Sequence, residues 1–272
     1  MNLATACRAA DAAEAAAYAD MYAAAPAGFA AACGLRTEQL ASATLLLAPG
    51  LPTPMFNRVI GLGTFEPATA SVIDAIVERY RRAQVAQFWV SVSPAAAPSN
   101  LAQWLEMRGF APPQRRSWVQ MRWGETPPPE IATSLDIRAA QPDDAAALAV
   151  VIATAFEMPP PMAAWLACLA GRTHWQGFAA LDSGTIVGGA FVHMRPPLGW
   201  LGMGAISSSH RGRDGQLALM SARITHAQRQ GCTSIHTETG EPVGDEPNPS
   251  LANMVRCGFE CVGSRANYSI SL

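Results

Sequence analysis

One order of elements occurs twice in this chain: helix, strand, short helix, Gly-Phe, strand. The two Gly-Phe pairs, Gly109-Phe110 and Gly258-Phe259, lie 149 residues apart (positions 109 and 258). In the first copy, helical spacing over 67–84 sets Val72, Ile73, Ile76, Val77 and Tyr80 on one side. A strand at 88–92, a short helix at 99–107 and a strand at 117–121 follow. In the second copy the helix is 214–229, with Leu217, Met220, Ile224 and Ala227, followed by a strand at 233–238. A short helix at 249–256 and a strand near 266–271 complete it. Matched order at matched spacing predicts an internal duplication. Between the copies runs Gly124-Glu125-Thr126-Pro127-Pro128-Pro129-Glu130, whose prolines continue neither a helix nor a central strand. The expected units are 1–126 and 135–272, joined by a Pro-rich linker at 127–134.

With 50% hydrophobic and 15% charged residues, a buried core is expected and a disordered chain is excluded. Net charge is −2 and all nineteen basic residues are Arg, so no mechanism through a catalytic Lys is available. The charges balance in each half, so no basic face for nucleic acid or anionic membrane is expected. The six cysteines form no C-x-x-C pair and the histidines show no ligand spacing, so no metal is expected. No apolar run approaches the ~18 residues of a membrane span. The Ala-rich N-terminus, interrupted by Asp11, Glu14 and Asp20, lacks a cationic start, so no signal peptide is expected. Free thiols and a cytoplasmic location follow as expectations.

Upstream, the second half has a strand at 135–139, helices at 143–156 and 161–171, and strands at 176–182, 185–194 and 199–206. Asp182-Ser183-Gly184 marks a hairpin turn. The first half has an Ala-rich helix at 3–24 and strands near 41–48 and 56–63. The fold class is α/β (α+β), a mixed, largely antiparallel sheet flanked by helices in each half.

The informative segment joins strand 199–206 to helix 214–229 through Ser207-Ser208-Ser209-His210-Arg211-Gly212-Arg213-Asp214-Gly215-Gln216. A helix start carries unpartnered N–H groups and the positive end of the dipole. Gly212 and Gly215 permit close backbone approach, and Arg211 or Arg213 would add a charge-assisted contact, so the turn suits a pyrophosphate. Neither a Gly-Lys-Ser/Thr loop nor G-x-G-x-x-G is present. The corresponding first-half segment, 56–67, has Gly61 and Gly63 but only Arg58 as a cation, and reads as structural.

Arg211-Gly212-Arg213-x-x-Gln216-x-Ala218-Leu219 resembles the acetyl-CoA loop of the GNAT (GCN5-related) N-acetyltransferases. Ser250-x-x-Asn253-x-x-x-x-Gly258-Phe259 resembles the family's second CoA-proximal motif. The likeness covers about 135–272, and the first half resembles a degenerate copy, so the chain looks like two tandem GNAT-like domains. The resemblance implies acetyl-CoA as co-substrate, its pyrophosphate on the loop amides of 211–216. Its pantetheine would lie between strands 199–206 and 233–238 against backbone groups of Ala205 and Ile206, with Asn253 nearby. Two positions depart from the pattern. Asp214 replaces the usual Gly and sets a carboxylate beside the anion, and Met254 replaces a frequent Tyr and cannot protonate a thiolate.

Amide formation needs a base near the amine. Glu238 and His236 share one face of strand 233–238; they are base candidates if that face is the cleft and surface residues if it meets solvent. Phe156, Met158 and Trp165 either line an apolar acceptor pocket or belong to the core, and Glu157 would attract an amine if they line it. The expectation is an N-acetyltransferase acting on a small-molecule amine acceptor, with a homodimer compatible. The alternative is a non-catalytic acyl-CoA-binding or regulatory module.

Overall fold

The computed structural model describes residues 2–113, 117–124 and 126–272. Glu125, in the segment that precedes the Pro-rich linker, lies outside them. The first half comprises α1 (Leu3–Ala23), α2 (Ala27–Cys33), β1 (Arg36–Leu40), β2 (Ala43–Leu47), β3 (Arg58–Ile60), α3 (Ala70–Arg82), β4 (Gln87–Val92), α4 (Leu101–Glu106) and β5 (Trp118–Trp123). The second comprises β6 (Asp136–Ala139), α5 (Ala145–Ala155), α6 (Pro160–Ala167), β7 (Trp175–Asp182), β8 (Thr185–Arg195), β9 (Leu198–Ile206), α7 (Gly215–Arg229), β10 (Ser234–Gly240), α8 (Pro249–Arg256) and β11 (Phe259–Ser271). From α1 to β5 the order repeats that from α5 to β11, so the duplication extends further upstream than the Gly-Phe pairs alone indicate.

Local chemistry accounts for the helix ends. The Asn2 side chain caps α1 through the Thr5 amide at 2.9 Å, and an Ala-rich interior suits a long helix. Thr69 caps α3, whose last turn carries Arg79, Arg81 and Arg82 at the negative end of the dipole. Pro249 opens α8 behind the Asn248 cap. No helix among the described residues is long and apolar enough to cross a membrane.

All eleven strands form one sheet, in the order β1-β2-β3-β4-β11-β5-β10-β9-β8-β7-β6. Neighbours are antiparallel except β3–β4 and β9–β10, the equivalent pairs of the two halves. The halves exchange their last strands. β5 leaves the first half to pair with β10 on one edge, and β11 returns to pair with β5 over 259–265 and with β4 over 266–271. Units that are separate in sequence are therefore stitched in space. The last strand also begins at Phe259, seven residues before its expected start.

On one face, α3 and α4 cover the β2–β4 side, and α7 and α8 cover the β5–β10 side. On the other face, residues of α1, α5 and α6 merge in a shared core. There the Trp165 Nε1–H donates to Met21 O at 2.7 Å, and Arg172 pairs with Asp20 at 2.5 Å.

Candidate functional site

β9 and β10 hydrogen-bond in register only from Leu198–Trp200 to Ser234–His236, and then separate. On its other edge, β9 bulges against β8 between Gly202 and Ala205, with Met203 in the left-handed region at φ 55°. A bulge bends its strand and raises the local twist. Two cavities open along the resulting gap, sharing Phe156, Gly204 and Gln216 in their walls.

The first, about 540 Å³, is bordered by Ala205, Ile206, Arg211, Gly212, Asp214, Gly215, Gln216 and Asn253. The Ala218 amide makes the first helical hydrogen bond of α7, to Asp214 O, so the amides of Gly215, Gln216 and Leu217 have no helical partner. Gly212 adopts φ +79°, which an L side chain resists. Asp214 also adopts a left-handed conformation, at φ +52°, and its carboxylate accepts from Arg256 at 3.0 Å. The Asn253 amide donates to Gln216 at 3.0 Å and ties α8 to the start of α7.

The second cavity, about 460 Å³, runs between the splayed strands. Its walls include Tyr18, Trp118, Phe156, Met158, Trp200 and Glu238. The Glu238 side chain is 7% exposed and accepts from Arg265 at 2.5 Å, with Arg58 at 3.6 Å. Behind it, Arg265 also donates to Glu14, and to Asp11 at 3.2 Å. Arg58 Nη2 lies 2.5 Å from Glu14 Oε1 as an ion pair rather than an aligned hydrogen bond, and its guanidinium covers the Tyr18 ring at 4.4 Å. Three carboxylates thus face two guanidiniums, all of them buried. Burial raises the Glu238 carboxyl to about 7; the Glu14 charge adds to this, and Arg265 and Arg58 oppose it. Burial pushes Glu14 the same way, but Arg265 and Arg58 outweigh it and hold that carboxyl low. Asp11 is raised by burial despite Arg265.

Three expectations need correction, and one residue has a further role. The Arg213 guanidinium turns from the cleft to Asp182 at 2.7 Å and Ser134 at 2.8 Å, since the β7–β8 hairpin supplies a carboxylate beside it. At Gly215 a Cβ would meet Leu135 Cδ1 at 2.6 Å, so the small residue also serves packing. Trp165 is fully buried among Tyr22, Phe29 and Phe56, each with its ring centre 5.5 Å away, so it is core and not acceptor wall. His236 is 1% exposed, outside both cavity walls, with Nε2 2.8 Å from Ser234 Oγ; burial, with Arg122 adding, lowers it to about 4. Phe156 and Met158 border the second cavity, whereas Glu157, in the turn between them, borders neither.

Sequence reasoning missed Asp11, Glu14, Tyr18, Arg58 and Arg265. The available signal was the spacing of Asp11, Glu14 and Tyr18, which share one face of an otherwise small and apolar helix. The first-half segment after β3 is filled by packing: Thr64 donates to Asp11 at 2.8 Å, and Gly63 abuts the Ala97 backbone. Among the described residues no cluster of three or more His, Cys, Asp or Glu side chains suits a metal ion.

No family model and no curated protein matches the sequence. Solved structures do match the fold. A GCN5-related N-acetyltransferase from Kribbella flavida aligns over 96% of this chain and 95% of its own, with TM-score 0.65 and 15% identity. One from Sphaerobacter thermophilus aligns over 84% and 80%, with TM-score 0.59 and 20% identity. A tandem GNAT protein from the clavulanic acid biosynthesis pathway aligns over 84% and 78%, with TM-score 0.60 and 15% identity.

Proposed function

We propose that this chain, which has the tandem GNAT fold, is an N-acetyltransferase whose second half binds acetyl-CoA and acetylates the amine of a small acceptor. The observation that carries the reading is the meeting of two cavities along one splayed strand pair. An unpartnered helix start borders one, and a nearly buried carboxylate borders the other. Bound acetyl-CoA would supply a thioester carbonyl open to attack by a neutral amine and a thiolate to leave.

The residues present fit that co-substrate. The amides at the start of α7 and the Arg211 side chain suit the pyrophosphate. Backbone groups of Ala205 and Ile206 suit the pantetheine arm, and Asn253 lies at the same wall. Asp214 is the discordant group, and Arg256 offsets its charge. Glu238 takes a proton from the acceptor's ammonium, freeing the nitrogen lone pair. A carboxyl near 7 is matched to that task at neutral pH. Arg265 fixes the carboxylate's orientation.

Asp214 and Met254 favour a second reading, a binding module without transfer, since Met254 brings no proton donor to the cavity wall. Calorimetric titration of acetyl-CoA into the wild type and Asp214→Gly, followed by turnover with an amine panel, separates the two. Micromolar binding to both proteins with turnover supports the transferase. Binding to both without turnover on any amine favours the module, whereas binding only to the variant means that Asp214 closes the site in the native chain and counts against both readings. No binding to either overturns the CoA assignment.

A further inference from the structure

We propose that the acceptor is a hydrophobic primary monoamine, an aromatic or branched-alkyl body carrying one ammonium, and that the first half of the chain builds part of its pocket. The proposal deepens the transferase reading and rests on it for the reaction, but its content is the binding of an amine.

The first observation is the chemistry of the wall. Tyr18, Trp118, Trp200, Phe156, Met158 and Met55 supply broad apolar surface around Glu238. Tyr18, Met55 and Trp118 come from the first half, on α1, the turn before β3, and β5. The other charged side chain at this cavity, Arg223, directs its guanidinium to the carbonyls of Leu219, Phe191 and Gly202. Thioethers and aromatic rings accept flat or branched apolar bodies readily. The polar side chains of the wall are few and partly engaged, Thr237 donating to Leu201 O and Gln216 accepting from Asn253, and Glu238 is its one carboxylate, so the further ammonium groups of a polyamine meet no second anion there.

The second observation is a count of charge. Around Glu238 stand Glu14, Asp11 and Tyr18 from α1, Arg58 from β3, Gln120 from β5 and Arg265 from β11. With its acids ionised, this group carries three negative charges against two positive ones, deep in the protein. An uncompensated buried charge is costly, so a proton or a cation must complete the set. Of the five ionic members, Glu238 alone lines the cavity. A single ammonium arriving there supplies the missing charge. A neutral isostere does not, and a polycation brings more charge than the wall can match.

The test is calorimetry on the full chain at pH 8, with and without acetyl-CoA, using 2-phenylethylamine, 2-phenylethanol and spermidine as probes. The proteins are the wild type, Glu238→Gln and Phe156→Ala. 2-Phenylethylamine should bind the wild type about tenfold or more tightly than either other probe, as a charge-assisted hydrogen bond implies. Glu238→Gln should remove that advantage, and Phe156→Ala, altering a half-exposed side chain, should weaken 2-phenylethylamine in a chain that stays folded by circular dichroism. Spermidine or the alcohol binding as well as the amine overturns the proposal. So does an amine affinity indifferent to both substitutions, or no amine binding under either condition. Amine binding without acetyl-CoA binding sinks the transferase reading alone; acetyl-CoA binding without amine binding sinks this proposal alone.

Discussion

Replacing Glu238 by Gln removes one ionisable proton from a buried set and keeps the side chain's shape. In the wild type this carboxyl moves from an ordinary 4.5 to about 7 on folding, through burial first and the Glu14 charge second. The folded chain then holds the proton more tightly than the unfolded chain. The stability this gives is fully present below about pH 4.5 and is lost as pH rises through about 7. At about 1.4 kcal/mol per tenfold change in protonation, the loss is on the order of 3 kcal/mol. Gln carries no such loss. Relative to the wild type, Glu238→Gln should therefore gain about 2–3 kcal/mol between pH 5 and pH 8. His193 and His236, both lowered to about 4 by burial, bend the stability curve the opposite way, but they are present in both proteins and cancel in the difference. Urea unfolding followed by circular dichroism at the two pH values measures it. A difference that stays flat, or one that favours the variant more at pH 5, refutes the charge arithmetic around Glu238.

Gly63→Ala forces a side chain into φ +77° and within 2.6 Å of Ala97 O, so it should cost at least about 2 kcal/mol in chemical denaturation. A cost under half that value would mean the turn relaxes freely. Trp165→Ala empties a fully buried site and removes the shorter of two hydrogen bonds to Met21 O; a loss of about 3–5 kcal/mol is expected, with acetyl-CoA affinity in calorimetry unchanged. A selective loss of ligand affinity at unchanged stability would return Trp165 to the acceptor wall. Fragments 1–126 and 127–272 should each lack a cooperative unfolding transition alone and recover one when co-expressed, because each lends a strand to the other. A cooperative 127–272 on its own would contradict this.

Most elements were legible because their periodicity is local. Helix 214–229 and strands 185–194 and 199–206 differ from the observed α7, β8 and β9 by a residue at most. The strand exchange was not legible. The alternation in Trp118–Trp123 states which face is buried, not which neighbour lies alongside. The loop at 211–216 was readable from its Gly and Arg residues, but the direction of Arg213 depends on Asp182, thirty-one residues upstream in another hairpin. His236 and Glu238 share a face by simple alternation. What separates them is that one lies sealed beside Ser234 while the other borders a cavity partly walled by α1, a helix from the far end of the sequence. The ion set around Glu238 spans up to 254 positions, from Asp11 to Arg265, and no local pattern encodes such a meeting.

Duplicated genes commonly shed a redundant copy. The crossed strands remove that option here. Deleting either half would strip a strand from the interior of the survivor's sheet and expose bare edges prone to aggregation. The first half is thus retained by architecture. Tyr18 of the first half walls the second half's cleft, with Glu14 and Arg58 behind Glu238, so a change in one half is felt in the other.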